Sequence, residues 1–229
     1  VTIGAGASAK TIASQLNGAV GGLSATASTE VQIGVDKTAI AGVAAGPAAN
    51  FSLTVGGQTV KFVGVTDTAS MADQLKSNAA KLGISVNYDD AKGTLSVKSD
   101  VGENLKFDLG DAAAIAGVTV NAKDGAGNYA AAGTALAAGP ITVTGQVSLD
   151  SAKGYSLNGA GVAGLFAAGA ATAAVSVKTT IANTDVTDAT KAQNAIAVID
   201  KAIGTISSSR SDLGAVQNRL TVTADNLQN

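Results

Sequence analysis

Residues 51–97 read FSLTVGGQTVKFVGVTDTASMADQLKSNAAKLGISVNYDDAKGTLSV and change their hydrophobic period twice. Apolar side chains first alternate on both sides of Gly56-Gly57, which is typical of two strands joined by a hairpin turn. Three apolar side chains then follow at helical spacing: Met71, Leu75 and Ala79. The alternation returns around a turn at 89–93, so the stretch predicts the order strand, strand, helix, strand, strand.

The start of the chain repeats this pattern at an offset of 59 residues. Ile12 and Leu16 align with Met71 and Leu75, and the hydrophobic positions around them match as well. The first copy is therefore predicted to have a strand at 1–3, a helix, and an alternating strand followed by a turn and a return strand. Its helix is predicted to bury three side chains: Ile12, Leu16 and Val20.

The ends of both helices carry their own signals. Ser8 is predicted to cap the first helix, and Thr68 or Ser70 the second, because short oxygen-bearing side chains accept hydrogen bonds from free backbone N–H groups. Gly22 and Gly83 follow the two helices and are predicted to end them.

The segment 112–178 has a different character. Short alternating runs separated by glycine-rich turns predict antiparallel strands that pack on the repeat units. These runs lie at 118–120, 141–144, 147–149 and 155–157. The tracts 130–139 and 159–174 are rich in Ala and Gly and are predicted to be loops, with a short helix at 161–168 as the alternative for the second tract.

Helical periodicity dominates after residue 180. Asn183-Thr184-Asp185 and Thr187-Asp188 offer N-caps, and apolar residues then recur every seven positions from Ala192 over about five heptads. The residues predicted to pack in this seam are Ile196, Ile199, Ile203, Ile206, Leu213, Val216, Leu220 and Leu227. Arg210 replaces an apolar seam residue, and either an interface role or a solvated position accounts for it. The fold class predicted for the whole chain is α+β, with repeat units, extra antiparallel strands and one long coiled-coil-like C-terminal helix.

Composition excludes several classes of function. The chain has no His, Cys or Trp, so it lacks the ligands of most zinc, haem, iron–sulfur and copper sites and the base of His-dependent catalysis. A net charge of −2 and an aromatic content of 3% disfavour nucleic-acid binding. Polar residues interrupt the uncharged stretches 125–149 and 154–177, so no membrane span is predicted. Neither enzymatic activity nor a cofactor is expected.

One motif resembles a phosphate-binding loop. Residues 4–11, GAGASAKT, follow a predicted strand and open a helix. Ala9 replaces the second glycine of that motif, and its Cβ hinders the backbone cradle that would hold an anion. The equivalent stretch of the second copy, 64–70, contains no Lys. The shared feature is therefore interpreted as a helix cap.

Two stretches of the C-terminal helix carry a family resemblance. Residues 199–203 read IDKAI and residues 211–219 read SDLGAVQNR, and together they resemble the C-terminal core helix of bacterial flagellin. The repeat units resemble the small motif of the outer domains of flagellins and hook proteins, in an order similar to that of pseudomonad-type flagellins. Leu220 stands where the family usually has Phe and keeps the position apolar.

This resemblance implies a structural subunit of the extracellular flagellar filament, which serves motility. In that family the N- and C-terminal helices pair to build the filament tube, and the subunit is exported unfolded without a cleaved signal peptide. The implied partners are other flagellin subunits, the subunit's own N-terminal helices and the vertebrate innate receptor for flagellin. The residues implied to contact neighbouring subunits or that receptor are Arg210, Leu213, Gly214, Gln217, Asn218 and Arg219.

The resemblance also implies a nested domain organisation. Residues 1–41 and 112–178 would form an inner variable domain, 42–111 an outer variable domain, and 179–229 half of a helical core domain. The chain lacks an initiator Met, so we expect a fragment. The resemblance implies that N-terminal helices and a last C-terminal helix are missing from it, so we expect that it does not polymerise alone. The alternative function is that of an extracellular adhesin or glycan-binding module built on residues 1–178, which direct glycan or mucin binding would distinguish.

Overall fold

The computed structural model describes residues 2–4, 6–44, 46–124, 127–136, 139–151, 153–159, 162, 173–187 and 189–228. These residues form a mixed α+β fold with antiparallel sheets and a long C-terminal helix, which confirms the predicted class. The chain divides into two compact units, Val1–Leu149 and Asp150–Asn229, and each is described by itself.

The part of the chain that the structure describes contains five α-helices and twelve β-strands. In chain order they are α1 (Ala9–Ala19), β1 (Leu23–Val35), α2 (Lys37–Ala41), β2 (Ala49–Val55), β3 (Gln58–Val65), α3 (Thr68–Leu82), β4 (Ser85–Asp89), β5 (Thr94–Ser99), β6 (Leu105–Phe107), α4 (Ala112–Gly117), β7 (Val118–Ala122), β8 (Thr134–Ala135), β9 (Ile141–Val143), β10 (Gln146–Ser151), β11 (Ser156–Asn158), β12 (Ala173–Val175) and α5 (Ala189–Gln228).

Two antiparallel sheets enclose the core of the first unit. One has the strand order β4-β5-β1-β7-β8, with β10 also paired to β1, and the other has the order β3-β2-β6-β9. Their buried faces share one hydrophobic cluster with α2, α3 and α4. The largest fully buried side chains include Phe62, Phe107, Ile33, Ile40, Leu53, Met71, Leu75 and Leu95. The rings of Phe51 and Phe62 lie 5.5 Å apart at their centroids, within the range of favourable aromatic pairs.

The second copy of the repeat forms as the sequence predicts. β2 and β3 make a hairpin whose turn residues Gly56 and Gly57 have φ angles of 55° and 84°, a conformation that glycine adopts without steric cost. β4 and β5 pair around the turn at 89–93, and Gly83 ends α3 in the left-handed conformation. The helix cap differs from the prediction. Asp67 is the N-cap, and Ser70 takes the third helical position of a capping box. The Asp67 carboxylate accepts the backbone N–H of Ser70, and the Ser70 hydroxyl accepts the backbone N–H of Asp67.

The first copy is only partly formed. Ser8 caps α1 as predicted, and Ile12 and Leu16 are buried. The predicted strand at 1–3 is absent at Thr2 and Ile3, while Val1 lies outside the described residues. Val20 is 46% exposed rather than buried, because it ends the helix in an extended conformation that turns its side chain away from the core-facing side.

β1 runs straight through the turn that the repeat predicts. It is 13 residues long, and no return strand follows at the expected place in the first copy. Its second half is flanked on both sides, since Val31 pairs with Val97 of β5 and with Ala122 of β7. These two partners keep residues 29–35 extended, so one continuous strand replaces the predicted turn and return strand of the first copy.

Strand β1 also joins the two copies. It belongs to the first copy and pairs with β5 of the second, so the copies share one sheet. Near the start of α1, the backbone N–H of Lys10 donates to the carbonyl of Gly102 at 3.0 Å, and the Lys10 ammonium lies 2.7 Å from Glu103. The division into an inner domain (1–41 with 112–178) and an outer domain (42–111) stays a prediction.

Four predicted strand runs of the segment 112–178 coincide with β7, β9, β10 and β11. α4 was not predicted, although Asp111 caps it and precedes a run of alanines with high helix propensity. Two predicted loop tracts contain short strands, β8 and part of β12, because pairing with β7 and β11 extends these small residues. The alternative helix at 161–168 lies almost wholly outside the described residues.

A charged cluster lies on β1 at Glu30. The Glu30 carboxylate accepts hydrogen bonds from the Tyr129 hydroxyl at 2.6 Å and from the Lys123 ammonium at 2.9 Å. Burial acts to raise the pKa of Glu30, but the hydrogen bonds from Tyr129 and Lys123 outweigh it and hold the pKa below the ordinary 4.5. Burial, together with the neighbouring Glu30, raises the pKa of Tyr129. The cluster therefore carries an ionised Glu30 at neutral pH.

We expect Tyr129→Phe to lower the free energy of unfolding by about 1–2 kcal/mol at pH 7, because the ionised Glu30 loses a hydroxyl donor. The contribution belongs to the ionised carboxylate, so it is present above pH 4.5 and fades as the pH falls through the lowered pKa of Glu30. Urea unfolding of both proteins across this range measures the difference. Tyr88→Phe, which removes a hydroxyl bonded to Asp90 in an exposed turn, is the control and should change stability less. A loss that is equal in both variants, or unchanged by pH, would contradict the assignment.

Candidate assembly surface

The second unit contains one dominant element, the helix α5. It has 40 residues, which at 1.5 Å per residue makes a rod about 60 Å long. A 3₁₀ turn at Ile181–Asn183 precedes it, and the β11–β12 hairpin lies earlier in the same unit. The length and type of this helix confirm the prediction from the heptads.

The approach to α5 is organised by Asp185. Its carboxylate accepts the backbone N–H of Thr187 at 2.9 Å and the Lys191 ammonium at 2.8 Å, while the Thr184 hydroxyl donates to the carbonyl of Ile181. The predicted cap at Asp188 lies outside the described residues. The bond from Lys191, followed by the bond from Thr187, lowers the pKa of Asp185 to about 2. Sequence reasoning missed this ion pair because its spacing of six residues is not a helical spacing.

The apolar seam of α5 is uncovered within this chain. Every residue from Ile203 to Gln228 is exposed, whatever its chemical type. The exposed fractions of the predicted seam side chains are Ile196 67%, Ile199 44%, Ile203 59%, Ile206 58%, Leu213 62%, Val216 54%, Leu220 64% and Leu227 82%. Ala195, near the start of the helix, is by contrast buried. A row of large apolar side chains on one side of a helix is normally covered in a folded protein.

The heptad positions locate the polar residues around this seam. With Ile199, Ile206, Leu213, Leu220 and Leu227 at position d, the preceding a positions are Ile196, Ile203, Arg210, Gln217 and Ala224. The seam is thus wholly aliphatic up to Ile206 and acquires polar a positions after it. Such residues weaken apolar packing but can select the register of the partner helix.

The predicted interface residues do not share one face. Arg210, Leu213 and Gln217 lie together on the seam, and Gly214 and Asn218 lie beside it, as their spacing on a helix requires. Arg219 is nine residues after Arg210, which places it half a turn away on the opposite side. All six are exposed. The two arginines therefore lie on different sides of α5.

Other kinds of site find little support in the part of the chain that the structure describes. No group of three or more acidic side chains there is placed to hold a metal ion. Likewise, no described helix combines the length and the apolar character needed to cross a membrane. In the stretch that resembles a phosphate loop, Lys10 is paired with Glu103, and Ser8 accepts the backbone N–H of Thr11. This agrees with the interpretation of the stretch as a helix cap.

Comparison with known proteins gives a family. Residues 196–229 match the family model for the bacterial flagellin C-terminal helical region, and residues 50–101 match the model for the flagellin hook IN motif. The B-type flagellin of Pseudomonas aeruginosa is 46% identical over 235 residues, which cover 99% of this chain and 46% of that protein. Flagellin A of Vibrio cholerae is 47% identical over 53 residues, covering 23% of this chain and 14% of that protein.

The fold and the exposed seam define a protein with one self-packed α+β unit and one long helix whose apolar side is exposed. The family matches carry this further: the chain belongs to the flagellins. It spans about half the length of the Pseudomonas relative, 46%. The hook IN motif coincides with the second copy of the repeat, and the C-terminal model begins at the first seam isoleucine.

The ion pair between Lys191 and Asp185 before α5 should be detectable by titration. We expect Lys191→Met to move the pKa of Asp185 up from about 2 towards the ordinary 3.8, because the variant removes the strongest group holding the carboxylate charged. A carboxyl carbon titration by NMR measures this shift directly. In the unchanged protein the contribution of Asp185 is present above pH 3.8 and is lost as the pH falls towards about 2. Lys201→Met, farther along the same helix, should leave the pKa of Asp185 in place, and an unmoved pKa in Lys191→Met would contradict the pairing.

Proposed function

We propose that this chain is part of a structural subunit of the extracellular flagellar filament and has no enzymatic role. The observation that carries the proposal is the exposed heptad seam of α5, which lies within the match to the flagellin C-terminal helical region. A seam of this kind has its purpose in association, because it adds nothing to the stability of an isolated helix. Motility then follows from the assembled filament rather than from this chain alone.

Covering the apolar side chains of the seam would contribute a large free energy to association. Eight aliphatic side chains are between 44% and 82% exposed, and covering them would contribute on the order of 10 kcal/mol before the costs of association. The net charge of −2 opposes association of copies only weakly. The apolar seam is therefore the main source of affinity, and the polar a positions Arg210 and Gln217 set the register.

The finer arrangement is part of the same proposal. The seam would be covered by the N-terminal helices of the subunit and by helices of neighbouring subunits, with 179–229 forming half of a helical core. The repeat units would form outward domains, inner for 1–41 with 112–178 and outer for 42–111. The exposed stretch Leu213–Arg219 would contact neighbouring subunits, and the vertebrate flagellin receptor would use the same surface when subunits are free. The support is the exposure of these residues and the family match.

A chimera tests this function. The matching segment of the Pseudomonas aeruginosa flagellin is replaced by this chain and expressed in a strain without its own flagellin. We expect filaments in electron micrographs and swimming. In the chimera with Leu213→Asp, we expect both to be lost, because burying an unpaired carboxylate in the seam costs several kcal/mol at every subunit contact.

Ser208→Asp is the matched control, since it adds the same charge to the same helix on the side opposite the seam. Filaments and swimming should persist in this control. Residues 1–229 alone are expected to form no filaments. Normal filaments from the Leu213→Asp chimera would contradict the proposal, as would filaments formed by the purified chain.

A further inference from the structure

Strand β3 lies at the edge of the four-stranded sheet. Among the described strands it pairs with β2 alone, so one side of its backbone faces away from the sheet. Its central residues, Thr59 to Val63, read TVKFV and contain neither Pro nor Gly. An edge of this composition offers a row of backbone donors and acceptors to any extended chain.

A side-chain amide occupies this edge. The Gln74 carbonyl oxygen Oε1 accepts the backbone N–H of Val63 at 3.3 Å, and the Gln74 Nε2 donates to the backbone carbonyl of Val63 at 3.0 Å. Both backbone groups of one edge residue are thus paired to one side chain of α3. The carboxamide presents the same donor and acceptor that a residue of a neighbouring strand would present.

The neighbouring positions of the edge are also engaged. The ammonium of Lys81, seven residues after Gln74 and so on the same side of α3, donates to the carbonyl of Thr59 at 3.3 Å. Beyond Val63 the strand is interrupted by a bulge at Gly64, whose φ of 74° is left-handed and whose N–H donates to the Asn50 side chain at 3.0 Å. A bulge at the end of an edge strand further hinders continued pairing.

The helix α3 is fixed in this position by its apolar side. Met71 and Leu75 flank Gln74 in sequence and are fully buried, so the core holds the carboxamide against β3. Lys61 lies midway between Thr59 and Val63 and is exposed. If two copies of β3 paired antiparallel through the free edge, Lys61 of each copy would lie opposite the other, and like charges so placed repel.

We propose that Gln74 closes the β3 edge against strand addition by a second copy of this chain, with the charge of Lys61 as a second barrier. The closure of the β3 edge is separate from assembly through α5 and does not depend on it. An extracellular chain that assembles through a helix at high local concentration gains from a sheet edge that does not pair. Gln74 is a positioning residue for Val63, not part of a binding site.

The repeat provides a natural comparison. Gln15 occupies the position of Gln74 in the first copy, at the same offset of 59 residues. Gln15 is exposed on α1. Residues Thr2–Gly4, which correspond to the part of β3 that pairs with Gln74, do not form a strand. Gln15 therefore has the same residue type and repeat position without an edge strand beside it.

The test uses Gln74→Met, which keeps the length and helix propensity of the side chain and removes both hydrogen bonds. Because the exposed seam of α5 can itself associate, every chain in this test also carries Leu213→Asp, which places a charge in the seam. In this 1–229 background we expect sedimentation velocity to show a concentration-dependent dimer for Gln74→Met and a monomer for the protein with Gln74 unchanged. Adding Lys61→Thr should strengthen the dimer of Gln74→Met, because it removes the facing like charges. Gln15→Met is the matched control and should remain monomeric.

Amide hydrogen exchange in dilute protein tests the hydrogen bonds of Gln74 separately from any association. In dilute unchanged protein the N–H of Val63 should be protected, and in dilute Gln74→Met it should exchange about tenfold faster while the amides of β2 keep their rates. A folded Gln74→Met protein that stays monomeric at every concentration would overturn the proposal. So would an unprotected Val63 amide in the unchanged protein, whatever the fate of the variant, or a dimer formed equally by Gln15→Met.

Discussion

The structure of the first unit depends on the pairing of β1 along both of its edges. One strand, Leu23–Val35, receives β5 on one side and β7 on the other, and its Val31 and Ile33 are almost completely buried. Because β5 comes from the second copy of the repeat and β7 from the segment after it, this strand holds three parts of the sequence in one sheet. The ionised Glu30, neutralised by Lys123 and bonded to Tyr129, secures the same junction from β1 itself.

The two units differ in whether their large apolar side chains are buried or exposed. The first buries most of its large aliphatic and aromatic side chains, and the carboxamide of Gln74 pairs with its sheet edge at Val63. The second leaves the seam of α5 exposed along most of its length. A chain that assembles through one surface must avoid association through others, and the contrast between a closed edge and an open seam meets both requirements.

Most of the correct predictions from the sequence came from hydrophobic periodicity within single elements. The hairpin at Gly56-Gly57, the buried Met71 and Leu75, and the length of α5 follow from patterns contained within each element. The errors arose where distant partners decide. The first copy was predicted to have a turn and a return strand after its alternating strand, but β5 and β7 hold residues 29–35 in one continuous strand. Val20 is exposed because the helix ends there. The role of Gln74 could not be predicted, since it depends on which side of α3 lies against β3. The packing of the seam residues stays a prediction, because no described residue of this chain covers them.

Thiol labelling tests whether the seam of α5 is covered when subunits assemble. The chain has no Cys, so a complete subunit carrying this segment with Ile206→Cys has a known reactive position, and Ser77→Cys on the exposed side of α3 provides the reference. Maleimide reaction rates are compared between free subunits and filaments. The thiol at 206 should react readily in free subunits and become protected in filaments, while the thiol at 77 should react in both. Equal reactivity of the thiol at 206 in the two states would contradict burial of the seam.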